Sequence, residues 1–212
     1  MSSAYIKRFI VLLNTEQNEL TRYYYQMAAF HQRIDNNLTQ GYNVFIGDSL
    51  IQGLAVSEID NKTVNYGIGN DTTYGVIKRL PLYKSISYAK NIIISIGHND
   101  IRQRKQKEII QNVRTIIEYI PPDKSVIICA IFLVDENIQM EGITNLKIQN
   151  LNNKIKGLTL KYSNVSYLDT NSLVTLDGNL SPQYHIGDGI HLNKKGNELW
   201  IRELKNALKR KE

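Results

Sequence analysis

Ser49, His191 and Asp188 are the residues of this 212-residue chain whose types and spacing can do covalent chemistry. A serine hydroxyl is a poor nucleophile until an imidazole takes its proton. The imidazole in turn works best when a carboxylate fixes its tautomer and stabilises the imidazolium. Ser49 stands in Gly47-Asp48-Ser49-Leu50, and the other two in Asp188-Gly189-Ile190-His191. Between them lie Asn65-Tyr66-Gly67-Ile68-Gly69-Asn70-Asp71-Thr72 and Gly97-His98-Asn99-Asp100. Acyl transfer also needs preorganised N–H donors at the oxyanion, which the Ser49 backbone, a turn near residues 69–70 and the Asn99 amide can supply. Taken singly, Ser49 reads as a turn residue or cap and His191 as a packing histidine. Four blocks in this order supply a nucleophile, a base with its orienter, and oxyanion donors.

These residues need elements to hold them. Apolar, β-branched runs at Val44–Ile46, Thr63–Tyr66, Asn91–Ile96, Val126–Phe132 and Val165–Leu168 are bounded by Gly, Pro, Asn or Asp and predict strands. Helical spacing joins Ile109, Val113, Ile116, Ile117 and Ile120 ahead of Pro121-Pro122. The same spacing joins Ile148, Leu151, Ile155, Leu158 and Tyr162, and, near the C-terminus, Trp200, Ile201, Leu204 and Leu208. Strands separated by helices predict a three-layer α/β/α sandwich around an about five-stranded parallel sheet, with the site at the carboxyl ends of the strands. Leu20, Tyr23, Tyr24, Met27, Phe30, Ile34 and Leu38, after a cap-like Asn14-Thr15-Glu16-Gln17, predict a long amphipathic helix with that stripe against the sheet. The expected organisation is therefore residues 1–40 as a helical segment packed on a main domain of residues 41–212.

With these motifs on their elements, the chain resembles the SGNH or GDSL hydrolases, a family of esterases, lipases, thioesterases and carbohydrate deacetylases with a flavodoxin-like sheet. The resemblance runs from about Tyr42 to Leu199. It implies Ser49 as nucleophile, Asn99 as side-chain oxyanion donor, and Asp188 with His191 as the rest of a triad. The family's second block follows Asn-x-Gly-Ile-x-Gly-Asp-Thr, which places its oxyanion glycine at Asn70 here, with Gly69 the alternative if the register shifts. The donor is a backbone N–H, and asparagine is among the few residues other than glycine that enter positive φ readily. His98 stands where a small or hydroxylated residue is common, so His98, Gly69 and Asp48 are candidate pocket residues. Asp71 and Asp100 read as caps of their turns. His185 reads as a loop-surface residue, with a place in the pocket as the alternative.

The remaining features narrow the partners. At 42% hydrophobic content the chain can bury a core of its own, and Cys129 lies in an apolar run that predicts a buried, inert thiol. The five apolar residues Phe9–Leu13 fall short of the roughly 7 to 15 of a secretory signal core, and no run is long enough to cross a bilayer, so a cytoplasmic location is expected. Net charge is +6, but the basic runs Arg102–Lys107 and Lys205–Lys211 lack interleaved aromatics, which argues against nucleic acid. Arg102 and Arg104 can instead steer an anionic substrate. No metal or organic cofactor is expected, since His31, His98, His185 and His191 lack zinc-site spacing and no phosphate-binding Walker loop occurs. The expected partner is a small-molecule or carbohydrate ester, with an acetyl or other short acyl group favoured because Asn70 and His98 add bulk. A lysophospholipase, a thioesterase and a catalytically weak binding protein remain as alternatives; the oligomeric state is not legible.

Overall fold

The computed structural model describes residues 20–138 and 142–210. Strands β1 (Asn43–Gly47), β2 (Thr63–Gly67), β3 (Asn91–Ser95), β4 (Ser125–Cys129) and β5 (Val165–Leu168) form one parallel sheet in the order β2-β1-β3-β4-β5. The helices are α1 (Arg22–Asp35), α2 (Ser49–Gln52), α3 (Thr73–Arg79), α4 (Gln106–Tyr119), α5 (Asn145–Thr159), α6 (Asn171–Val174) and α7 (Lys194–Lys209). Side chains alternate along a strand. Val44, Ile46, Ile92, Ile94, Val126 and Ile128 therefore face one layer, where Val76, Val113, Ile116, Ile148 and Ile155 of α3, α4 and α5 cover them. Phe45, Ile93 and Ile127 face the other layer, under Ile51 of α2 and Trp200 and Leu204 of α7. The result is the expected three-layer α/β/α sandwich. Fully burying each such side chain contributes roughly 1.5–3 kcal/mol, which is why apolar runs this short suffice to define the layers.

The sheet order reverses between β1 and β3, both of which extend from the middle of the sheet, and a crevice opens at such a switch point beyond the carboxyl ends. Close approach of α2 to that edge requires two glycines. A Cβ on Gly47 would lie 2.2 Å from the Ser95 carbonyl oxygen, and one on Gly67 would lie 2.1 Å from the Gln52 nitrogen.

Three differences from the sequence expectation have physical causes. Residues 14–17, expected to cap the first helix, lie outside the described residues; α1 is capped instead by Thr21, whose hydroxyl oxygen accepts the Tyr24 N–H at 3.1 Å. Its buried face is Tyr24, Ala28, His31 and Asp35, whereas Tyr23 and Phe30 are 45% and 47% exposed. The rest of the expected stripe, Leu20, Met27, Ile34 and Leu38, packs against the core, and Asp35 is buried beside it because it finds partners there. Its carboxylate accepts the Tyr66 hydroxyl at 3.0 Å, the Lys84 N–H at 2.6 Å and the Ser85 hydroxyl. The run expected to be strand through Phe132 leaves the sheet after Cys129. Residues 130–134 are buried; the Ala130 N–H donates to the Leu168 carbonyl oxygen at 2.8 Å, and beyond it Asn152, Asn171 and Asn145 accept the N–H groups of Ile131, Leu133 and Val134 at 2.8 to 2.9 Å. A small hairpin, β6 (Thr175–Leu176) with β7 (Asn179–Leu180), was not anticipated. Its signal was Asp177-Gly178, both at positive φ as a tight hairpin turn requires.

Candidate active site

Ser49 opens α2 directly after β1, and Asp48 caps that helix by accepting the Leu50 N–H at 3.0 Å. The Ser49 N–H is left with no acceptor among the described residues. Its Oγ lies 2.8 Å from His191 Nε2, and His191 Nδ1 lies 2.6 Å from Asp188 Oδ2. Asp188 also accepts the backbone N–H groups of Ile190 and His191 at 3.0 and 2.9 Å. Burial opposes its ionisation, but those N–H bonds and the His191 side chain outweigh it and hold the carboxyl below the usual carboxylate range. A carboxylate on Nδ1 leaves Nε2 free to accept the serine proton.

The block after β2 is held by Arg79, which is fully buried. Its guanidinium pairs with Asp71 at 2.8 Å and donates to the carbonyl oxygens of Tyr66 and Gly47 at 2.6 and 3.0 Å. Two strand ends that flank the site are thus clamped by one side chain. The Asp71 carbonyl oxygen accepts from Asn99 Nδ2 at 2.9 Å, which fixes the Asn99 amide and leaves its second N–H for another acceptor. Asp100 is buried and accepts the Thr73 N–H at 2.9 Å and the Thr73 hydroxyl, tying the turn after β3 to the start of α3. Asp71 and Asp100 are therefore anchors between loops rather than caps of their own turns alone.

Gly69 and Asn70 differ in what their backbone N–H groups meet. The Gly69 N–H donates to Gln52 Oε1 at 2.7 Å, and Gln52 Nε2 is in turn bonded to the Tyr23 hydroxyl. Asn70 has φ of +62° and a backbone N–H with no acceptor among the described residues. A cavity of about 110 Å³ collects Asp48, Ser49, Leu50, Asn70, His98, Asn99, Arg102, Ile190 and His191. Gly69 and Asp188 do not line it. Burial pushes the Asp48 carboxyl up to about 7 and, with Arg102 and His191, pushes the His98 imidazole down to about 4.

His185 is corrected by the structure. It is buried, neither surface-exposed nor part of the cavity wall. Its Nδ1 accepts the N–H groups of Gly187 and Gly189 at 3.0 and 3.2 Å, and its Nε2 faces Asp135 at 3.3 Å, so it braces the loop that carries Asp188. Arg104 likewise departs from a steering role. It is nearly buried, paired with Asp100 and Glu108 at 3.3 and 3.1 Å, whereas Arg102 reaches the cavity. Cys129 is buried, and that burial pushes its thiol up to about 12. The clamp by Arg79 and the brace by His185 were missed, because neither is adjacent in sequence to the groups it holds. Among the described residues no cluster of three metal-ligating side chains occurs, and no helix is long and apolar enough to cross a membrane.

An α/β sandwich carrying these blocks at its carboxyl edge defines an acylhydrolase class. Residues 33–199 match the GDSL-like lipase/acylhydrolase family, and the chain belongs to it. Its enzymes are esterases and acylhydrolases. A Streptococcus pneumonia structure described as a platelet activating factor superimposes with a TM-score of 0.83 at 23% identity, covering 94% of this chain and 99% of that one. A GDSL-like lipase from Bacteroides thetaiotaomicron gives 0.74 at 18% identity, over 86% and 97%. An acetylxylan esterase from Geobacillus stearothermophilus gives 0.62 at 18% identity, over 81% and 96%. A comparison with curated proteins finds none that matches.

Proposed function

We propose that the protein is a serine esterase that removes a short acyl group, acetyl foremost, from a small-molecule or carbohydrate alcohol through an acyl-enzyme on Ser49. The observation that carries this reading is the continuous hydrogen-bonded chain from Ser49 Oγ through His191 to Asp188, at 2.8 and 2.6 Å. His191 takes the serine proton as Oγ attacks the ester carbonyl, and Asp188 steadies the imidazolium. The oxyanion receives the N–H groups of Ser49 and Asn70 and the second N–H of Asn99. Collapse expels the alcohol, protonated by His191. A water that His191 then deprotonates releases the acid and restores Ser49. No step calls for a metal or organic cofactor.

The small acyl group follows from the space available. A cavity of about 110 Å³ beside Ser49, narrowed by Asn70, supports a short acyl group. An acetylxylan esterase among the structural neighbours agrees with this reading. Within the expected segment of residues 1–40, the described helix α1 (Arg22–Asp35) packs on the hydrolase domain. The Asp35 contacts to Tyr66, Lys84 and Ser85 support that packing. A fluorophosphonate probe, which reacts with activated serines, tests the mechanism. Peptide mapping is expected to find it on Ser49, with labelling lost in His191→Ala; labelling elsewhere, or none, contradicts the reading.

A further inference from the structure

His98 and Arg102 line the cavity, yet neither is used by the chemistry of Ser49. His98 is 6% exposed, and neither of its ring nitrogens has a hydrogen-bond partner among the described residues. An unsatisfied buried polar group costs about 1–3 kcal/mol, and in a cavity wall it marks a place where a ligand completes the bonding. The imidazole is neutral, held so by burial and by the nearby charges of Arg102 and His191. A neutral imidazole offers one donor and one acceptor, which a hydroxyl matches from either side.

Arg102 supplies a second, independent observation. It is exposed at the cavity edge, and no carboxylate among the described residues pairs with it, in contrast to Arg104 beside it in sequence. A guanidinium in that position suits a carboxylate or phosphate, whose paired oxygens match its fork of donors. His98, Arg102 and His191 line one cavity with Ser49, and His191 Nε2, 2.8 Å from Ser49 Oγ, is the group that protonates the departing alcohol.

We propose that His98 and Arg102 form a leaving-group subsite selecting esters of hydroxylated alcohols that carry an anionic group. His98 hydrogen-bonds a free hydroxyl of the alcohol, and Arg102 pairs with its carboxylate or phosphate. This inference rests on the serine-esterase reading above and names the substrate class for the same site.

Two pairs of acetyl esters test it through ratios of kcat/KM. The first pair, 4-acetoxybenzoate and methyl 4-acetoxybenzoate, differs in the negative charge of the leaving group. The wild type is expected to prefer the anion by about tenfold, the scale of one charge-assisted hydrogen bond, and Arg102→Gln is expected to erase the preference while Arg102→Lys keeps part of it. The second pair, glycerol monoacetate and ethyl acetate, differs in free hydroxyls. His98→Phe, which keeps a ring in the same space, is expected to lower that ratio by about fivefold or more, as loss of one hydrogen bond does. If 4-nitrophenyl acetate is cleaved but both ratios stay near unity, or if the variants leave them unchanged, the subsite is overturned and the esterase reading stands. If no ester is cleaved at all, the esterase reading falls and this inference with it.

Discussion

The Arg79 guanidinium donates to the Gly47 carbonyl oxygen at 3.0 Å, so the last residue of α3 grips the strand end from which the Asp48-Ser49 turn departs. The same side chain pairs with Asp71, whose carbonyl oxygen orients Asn99. A single buried cation thus links the strand ends and loops that carry three blocks of the site. Removing one partner of a buried ion pair leaves the other uncompensated at a cost of about 3–5 kcal/mol. Arg79→Leu is therefore expected to lower the free energy of urea unfolding by that order, and a loss under about 1 kcal/mol would mean that Asp71 is neutral or solvated and that the clamp contributes little.

Asp188→Asn and His191→Ala separate orientation from proton transfer. The asparagine variant keeps a base, although one with its tautomer misassigned, and a comparable change in another triad lowers kcat about 10⁴-fold. His191→Ala removes the base itself. The loss in kcat is expected to be larger for His191→Ala; equal or reversed losses would show that Asp188 is not what orients His191.

Asn70 holds φ of +62°, lines the cavity, and has a backbone N–H with no acceptor among the described residues. Glycine adopts that conformation without strain. Asn70→Gly is expected to keep acetyl ester hydrolysis and to widen the acyl preference, since a methylene in a tight pocket changes kcat/KM by roughly 1–3 kcal/mol. Wild-type preference for octanoyl over acetyl esters would contradict the cramped pocket. Loss of all activity in Asn70→Gly would instead assign the oxyanion contact to the asparagine side chain.

Asp48 makes stability depend on pH. Burial raises its folded-state value to about 7, against about 3.9 in the unfolded chain. Between those values the folded state binds the extra proton, so this contribution is present at low pH and is lost as pH rises through about 7. Asp48→Asn keeps an oxygen for the Leu50 N–H and removes the titration. Its melting temperature relative to wild type is expected to rise between about pH 5 and pH 8. A difference that is the same at both values would show Asp48 ionised throughout.

Much of the molecule was legible because it depends on local pattern. Val44–Ile46 and Asn91–Ile96 are continuous apolar runs because parallel strands are covered on both faces, and the spacing from Ile109 to Ile120 is that of one helix face. The four blocks were legible because each sits at the end of such an element. What escaped notice depends on partners distant in sequence. Asp35 is buried to bond Tyr66, Lys84 and Ser85, while Phe30 of the expected stripe is exposed. Asn145, Asn152 and Asn171 take the place of strand hydrogen bonds at Val134, Ile131 and Leu133, where the fourth strand was expected to continue. The Arg79 clamp and the His185 brace belong to the same kind, because nothing in a run of residues announces which carbonyl a buried guanidinium or imidazole will meet.

The most direct test of the account is the kcat/KM of Ser49→Ala against wild type on 4-nitrophenyl acetate, with the melting temperature measured alongside. The central claim is that the Ser49 hydroxyl, 2.8 Å from His191, is the nucleophile. The account predicts that activity falls by at least about a thousandfold while the fold is retained, because loss of a triad nucleophile costs orders of magnitude. Activity retained within about tenfold of wild type would contradict it.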